Sequence, residues 1–300
     1  PALRAPGAAR RLARPLPKAW TITSFSRLAA GLDAERPDHD ATRATVAVVA
    51  TPRRHDVFAF PHGARAGTCL HVILERIDFT ARNRDAWAPV VRTALQAHGY
   101  EATWEPVVLD MLARVVATPL DDAGTLRLDR VDAGARLGEL EFFHPIAHFD
   151  AAGLGRLLLD HGFGSAPVRD AIAQARFPSS TGFMKGFIDL VFAQGGRYWL
   201  VDYKSNRLGD TPQDYAAARL PAIVAREAYW LQYLIYTVVV HRLLRLRLAD
   251  YDYERHMGGV RYLFLRGMDP AHGAACGVYQ DRPSRELVQA LDAFMGGGTA

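Results

Sequence analysis

Apolar residues dominate Phe187–Phe192 and again Tyr198–Val201, and a Gly195-Gly196 pair separates the two runs. Two strands joined by a two-residue turn are the expected outcome, because paired glycines reach the positive φ values such turns need. The count from the turn starts with Gln194 facing Arg197, and on one side Val191 then faces Leu200, Asp189 faces Asp202 and Phe187 faces Lys204. Phe192 with Trp199, Leu190 with Val201 and Ile188 with Tyr203 make the other, apolar side. Upstream, a Gly-rich turn at Pro61–Thr68 precedes a helical stripe of Leu70, Ile73, Leu74 and Ile77, for which Thr68 can serve as cap. Helices are expected over Ala86–His98 and Pro106–Ala117, and a strand over Arg136–Pro145 with Glu139 and Glu141 on one face. Phe149–Arg176 reads as largely helical.

Downstream of the hairpin, Ser205–Asp210 reads as a loop, followed by helices Gln213–Leu220 and Ala222–Leu246 split at Pro221. The second is long and mostly apolar, which predicts packing against the sheet. A loop rich in tyrosine and charge over Asp250–Gly259, a strand over Val260–Arg266 and a helix over Ser284–Phe294 complete the pattern. At the ends, residues 1–19 are rich in Ala, Arg and Pro and read as a linker, residues 20–295 as one folded domain, and residues 296–300 as a frayed tail. Thr23–Leu28 looks like a short capped helix, and residues 33–60 are polar and irregular apart from an apolar patch at Val46–Val49.

Composition narrows the picture modestly. Three hundred residues with 49% hydrophobic content suffice for a substantial core. A net charge of +4 suits an anionic partner without demanding one. Cys69 and Cys276 form no metal or redox motif and fit a reducing, cytoplasmic setting. The longest apolar run, Leu231–Leu246, is interrupted by Gln232, His241, Arg242 and Arg245, so no membrane span is expected. There is no signal peptide pattern, no internal repeat and no Gly-Lys-Ser/Thr phosphate loop. A chain that begins at Pro1 reads as a piece of a longer protein.

The chemistry concentrates in the hairpin. Two opposed aspartates repel, and a divalent cation with open coordination positions is the natural means of holding them. Lys204 shares the face of Asp202 and brings a compact positive charge to the same volume. The lysines are confined to Lys18, Lys185 and Lys204 in a chain that otherwise uses arginine. This suggests that arginine would not serve at Lys204. The competing reading is an Asp189–Lys204 ion pair with Asp202 solvated at a strand end. His71 lies in the first turn of its helix with Glu75 one turn on, and such a histidine is either structural or a ligand. Glu139 and Glu141 are either solvated or a further carboxylate near the metal. Tyr229, Gln232 and Tyr236 share one helix face, as core residues or as contacts to phosphate or base.

Gly186-Phe187-Ile188-Asp189 followed by Asp202-Tyr203-Lys204 resembles the active-site core of the PD-(D/E)xK nuclease superfamily. The stretches Gly182–Phe192, Asp202–Asn206 with Leu208-Gly209, Leu231-Gln232-Tyr233, Tyr236-Thr237, His241-Arg242, Ala249–Glu254, Gly258–Val260 and Tyr262–Gly267 resemble the C-terminal nuclease domains of the RecB family, a likeness that runs from about Trp20 to the end and is closest over residues 181–267. The resemblance implies an α/β fold with a restriction-endonuclease-like PD-(D/E)xK core, a central mixed sheet flanked by helices. It implies a Mg²⁺ site, tolerant of Mn²⁺, on His71, Asp189, Asp202 and the backbone carbonyl of Tyr203, with Asp202 and Lys204 as catalytic residues. The glutamate of the strand before the hairpin maps onto Glu139 or Glu141, with Glu139 favoured. Gln232 and Tyr236 match the family's Gln-x-x-x-Tyr motif and become candidate DNA contacts. The implied activity is hydrolysis of DNA, exo- and endonucleolytic, on strands unwound by an ATP-driven helicase motor in the parent chain, within double-strand break repair and recombination. The implied partners are DNA, the RecC and RecD subunits, and RecA. The alternative is a non-catalytic module with a nuclease-like fold that grips DNA or docks RecA.

Overall fold

The structure is a computed structural model that describes residues 21–29 and 55–296. The expected linker 1–19, Trp20, the Val46–Val49 patch and the last four residues lie outside the described residues. Its centre is a mixed sheet of six strands: β1 (Thr21–Thr23), β2 (Arg136–Phe149), β3 (Ser180–Gln194), β4 (Arg197–Lys204), β5 (Met257–Phe264) and β6 (Val278–Asp281). The order is β1-β3-β4-β5-β6, and β2 runs antiparallel along the remaining edge of β3. The Gly-Gly turn forms as expected, with φ of 62° at Gly195 and 72° at Gly196, and the register from Gln194↔Arg197 to Leu190↔Val201 matches the count from the turn.

Helices cover both faces. On one lie α2 (Ala64–Arg76), α3 (Ala88–Ala97) and α4 (Glu105–Ala117), whose Leu70, Ile73, Leu74, Val91, Leu95, Leu112 and Val115 pack against Leu190, Phe192, Val201, Tyr203 and Leu263. On the other lies α8 (Tyr229–Arg247), packed on Ile188, Val191, Leu200, Tyr262 and Phe264. Around it sit α5 (Ala151–Asp160), α6 (Ala166–Gln174), α7 (Leu220–Arg226) and α10 (Arg285–Gly296). Two short helices, α1 (Phe25–Ala29) and α9 (Tyr253–His256), complete the inventory of α-helices among the described residues. Every residue of α8 from Tyr229 to His241 is buried, so its polar groups must find partners inside the protein.

Several boundaries differ from expectation for identifiable reasons. Thr68 does not cap α2: the Gly-rich turn is itself helical from Ala64, and the Thr68 hydroxyl donates to the Ala64 carbonyl at 3.0 Å inside it. Pro221 does not split a helix. It stands in the first turn of α7, where a missing N–H costs nothing, and the break falls at Ala228 with a left-handed φ of 54°. Residues 213–219 form a 3₁₀ turn and loop rather than a helix. The Asp250–Gly259 loop contains α9 and the start of β5, β2 extends on to Phe149, and the region 149–176 divides into α5 and α6 at a turn.

Candidate active site

The site arises where β3 and β4 part. Their ladder ends at Leu190↔Val201, so Asp189 and Asp202 no longer face each other across it. Instead, the Tyr203 backbone N–H donates to Asp189 Oδ2 at 2.7 Å, a side-chain bond in place of the next ladder bond. On the other side of β3, the ladder with β2 also skips one pair, Glu139 with Asp189, while keeping its register on either side. Glu139 has a φ of 48°, a left-handed conformation that costs a non-glycine residue about 1–2 kcal/mol. Both strands change face here. Leu190 points to the α2–α4 side whereas Ile188, two residues on, points to the α8 side. The expected pairing of Ile188 with Tyr203 on one apolar face is therefore corrected, because strict alternation does not survive the break.

The break gathers ligand-bearing side chains. His71, Glu139 and Asp189 each bring one ligand atom to within 4.8 Å of the others. His71 Nδ1 lies 3.4 Å from Asp189 Oδ1, and its Nε2 donates to the Tyr203 carbonyl at 2.9 Å. Burial and the Asp189 charge hold Glu139 above the usual carboxylate range. Burial also pushes Asp189 upward, but His71, Lys204 and the Tyr203 amide outweigh it and leave it low. Of the two candidate glutamates, Glu139 joins this cluster, whereas Glu141 Oε1 lies 2.6 Å from Lys185 Nζ, away from it. One imidazole, two carboxylates and a carbonyl make a donor set that suits a hard or borderline divalent cation. A cation there would also relieve the mutual repulsion of the carboxylates. The residues present fit the metal.

Asp202 stands outside that three-residue group. It is buried, not solvated, with Oδ1 2.6 Å from Lys204 Nζ. Burial, opposed by Lys204 and aided by Asp189, pushes its carboxyl up to about 7. Lys204 is equally buried. Its ammonium donates to Gln232 Oε1 at 3.1 Å and sits 3.9 Å above the Tyr229 ring and 5.1 Å from that of Tyr262. Gln232 also accepts from the Tyr262 hydroxyl at 2.9 Å and donates to the Tyr236 hydroxyl at 3.1 Å. Burial, reinforced by Asp202, keeps the Tyr236 and Tyr262 phenols far above their ordinary range, so both remain neutral. Gln232 thus meets the lysine, and Tyr236 meets Gln232, from inside the core and not from an exposed surface. Tyr262 was not singled out from sequence as a site residue. The signal was its place in β5: it pairs in register with Asp202.

A mixed sheet whose central hairpin splays to present an acidic cluster beside a buried lysine fits a nuclease core. The chain belongs to the PD-(D/E)XK nuclease superfamily, whose family model matches residues 48–294. It is 38% identical over 285 residues to the RecBCD enzyme subunit RecB of Escherichia coli K12, covering 93% of this chain and 23% of that protein. It is 34% identical over a 332-residue alignment to the RecBCD enzyme subunit RecB of Mycobacterium tuberculosis H37Rv, covering 96% of this chain and 30% of that protein. The subunit of the same name from Buchnera aphidicola of Acyrthosiphon pisum is 27% identical over 277 residues, covering 90% of the chain and 23% of that protein. The chain spans less than a third of the length of these curated relatives. Among the described residues, no helix is long and apolar enough to cross a membrane.

Proposed function

We propose that this chain is a metal-dependent DNA nuclease that hydrolyses phosphodiester bonds. The observation that carries the reading is the convergence of His71, Glu139 and Asp189 at the fork of β3 and β4, with the Asp202–Lys204 pair beside it. His71, Asp189, Asp202 and the Tyr203 carbonyl would hold Mg²⁺, or Mn²⁺ in its place, and Glu139 adds a further carboxylate. When bound, the metal supplies Lewis acidity toward a phosphoryl oxygen and lowers the pKa of a bound water. The protein's own part is positioning. Lys204, fixed by Gln232 and stacked over Tyr229, is held where a positive charge can stabilise the charge that grows on the phosphate, or orient the attacking water. Asp202 pairs with that lysine and helps to keep it in place.

The named relatives are subunits of the RecBCD enzyme. By that likeness the chain is proposed as the nuclease segment of a larger helicase–nuclease subunit that acts on unwound DNA in double-strand break repair. It would assemble with RecC and RecD and contact RecA. The test is nicking of circular single-stranded DNA by the purified chain with Mg²⁺, beside EDTA and Asp202→Ala controls. Metal-dependent cutting, abolished in the variant while its circular dichroism and DNA affinity persist, is the expected result. Full cutting by Asp202→Ala sinks the assignment.

A further inference from the structure

Beyond Asp189 the β2–β3 pair runs on past the cover of α2–α4. Alternation along β2 puts Glu139, Glu141 and Phe143 on one face; along β3 it puts Asp189, Phe187 and Lys185 on that same face. The register pairs Phe143 with Lys185 and Glu141 with Phe187. On this face two aromatic rings stand in solvent, Phe143 54% and Phe187 45% exposed, whereas the opposite face buries Phe142, His144, Met184 and Ile188. Lys185 lies between the rings, its Nζ 5.0 Å from the Phe143 centroid and 5.4 Å from that of Phe187. Glu141 holds the ammonium there at 2.6 Å.

Exposed rings of this size are costly to leave in water, and among the described residues they fill no core position. Same-face residues along a strand are about 7 Å apart, so Phe187 is one step, and Phe143 about two, from the carboxylate cluster. We propose that Phe143, Lys185 and Phe187 form a stacking platform that receives the unpaired bases of a single nucleic-acid strand whose backbone enters the Glu139–Asp189 site. The proposal rests on the nuclease reading and adds to it the path of the strand. Flat rings take any base by stacking, which suits a sequence-tolerant site, and bases within a duplex cannot offer their faces. Continuity with the cluster and a cation between the rings favour this occupant over an apolar protein surface. Because Glu141 offsets Lys185, the attraction should come from stacking more than from charge.

The experiment measures fluorescence anisotropy of labelled (dT)20 and of a duplex of equal length on the full 300-residue chain, in EDTA and again in Ca²⁺. The Phe143→Ala/Phe187→Ala double variant should bind (dT)20 at least tenfold more weakly, with the salt dependence of binding unchanged and duplex affinity untouched. Phe143→Trp/Phe187→Trp should restore it. With Mg²⁺ the alanine variant should raise KM for single-strand cutting and leave kcat within twofold. Equal (dT)20 affinity in parent and alanine variant, or no affinity in the parent, overturns the platform and leaves the face to a protein partner. Asp189→Asn separates the two claims. Lost cutting with retained, ring-dependent (dT)20 binding supports both. A parent that binds through the rings but never cuts keeps the platform and refutes the nuclease reading.

Discussion

Lys204 shows what a single residue has to satisfy at this site. Its ammonium fills a small space bounded by the Asp202 carboxylate, the Gln232 carbonyl and the faces of Tyr229 and Tyr262. Arginine carries the same charge, but its planar fork needs more room and spreads the charge over five donors. Lys204→Arg should therefore fail, with the cutting rate falling at least about 100-fold, the usual effect of losing one charge-stabilising donor. Single-turnover cleavage by a variant whose circular dichroism matches the parent checks this, and parental rates would refute it. The sequence already pointed this way, since lysine is rare and arginine abundant along the chain. Counting outward along the hairpin singled out Asp189 and Asp202 but not their placement, because the ladder ends before them and only Asp189 joins the cluster. Glu139 was not separable from Glu141 because simple alternation puts both on one face. What separates them is place along the strand: Glu139 stands at the fork beside Asp189, with a left-handed φ that no glycine marks, whereas Glu141 pairs with Lys185 further on. His71 carried no signal of its own. Its meaning depends on Tyr203 and Asp189, which stand more than a hundred positions away along the chain.

At the scale of elements, the hairpin and the apolar helix stripes were readable because period and turn chemistry are local properties. The division between α7 and α8 was misread because proline is a stronger signal than alanine, although here the proline starts a helix and the alanine ends one. The two positions make opposite predictions. Pro221→Ala removes no hydrogen bond and only loosens the unfolded chain, so its cost should stay below about 1 kcal/mol. Ala228→Val puts a β-branched side chain at a φ of 54° in a buried position and should cost about 2–3 kcal/mol. Urea midpoints at constant slope measure both. The reverse order would move the break back to the proline. The left-handed break matters for the site because it sets where α8 begins, and thereby places Tyr229 and Gln232 against Lys204.

For the whole molecule, the two helical layers and mixed sheet were legible as a class, but the links that close the structure were not. Arg266 illustrates this: buried beyond the end of β5, it donates to the carbonyls of Ser205, Val57, Phe60 and Pro61 and so ties the segment before α2 to the loop after β4. No local pattern announces such a residue. The same holds for His144 of β2, which sits buried between the sheet and the outer helices with an Nε2 that has no hydrogen-bond partner among the described residues. The nearby charged groups are Arg242 and Asp292, which are themselves paired. Burial, reinforced by Arg242 and opposed by Asp292, pushes this imidazole down to about 4. Above pH 6.5 the ring is neutral in folded and unfolded chains alike, so it contributes no pH dependence there. Between pH 6.5 and 4 the unfolded chain takes up a proton that the folded chain refuses, and stability falls as the pH falls. The full loss is on the order of 3 kcal/mol, from the size of the shift at about 1.4 kcal/mol per pH unit. His144→Phe removes the titrating group, so the variant's stability relative to the parent should rise as pH drops from 7 to 4.5. Denaturant unfolding of both proteins across that range measures the difference directly and cancels the carboxylates they share. A difference that is flat with pH would mean that His144 takes up its proton inside the fold as readily as in the unfolded chain, with Asp292 the nearby acidic group able to favour it.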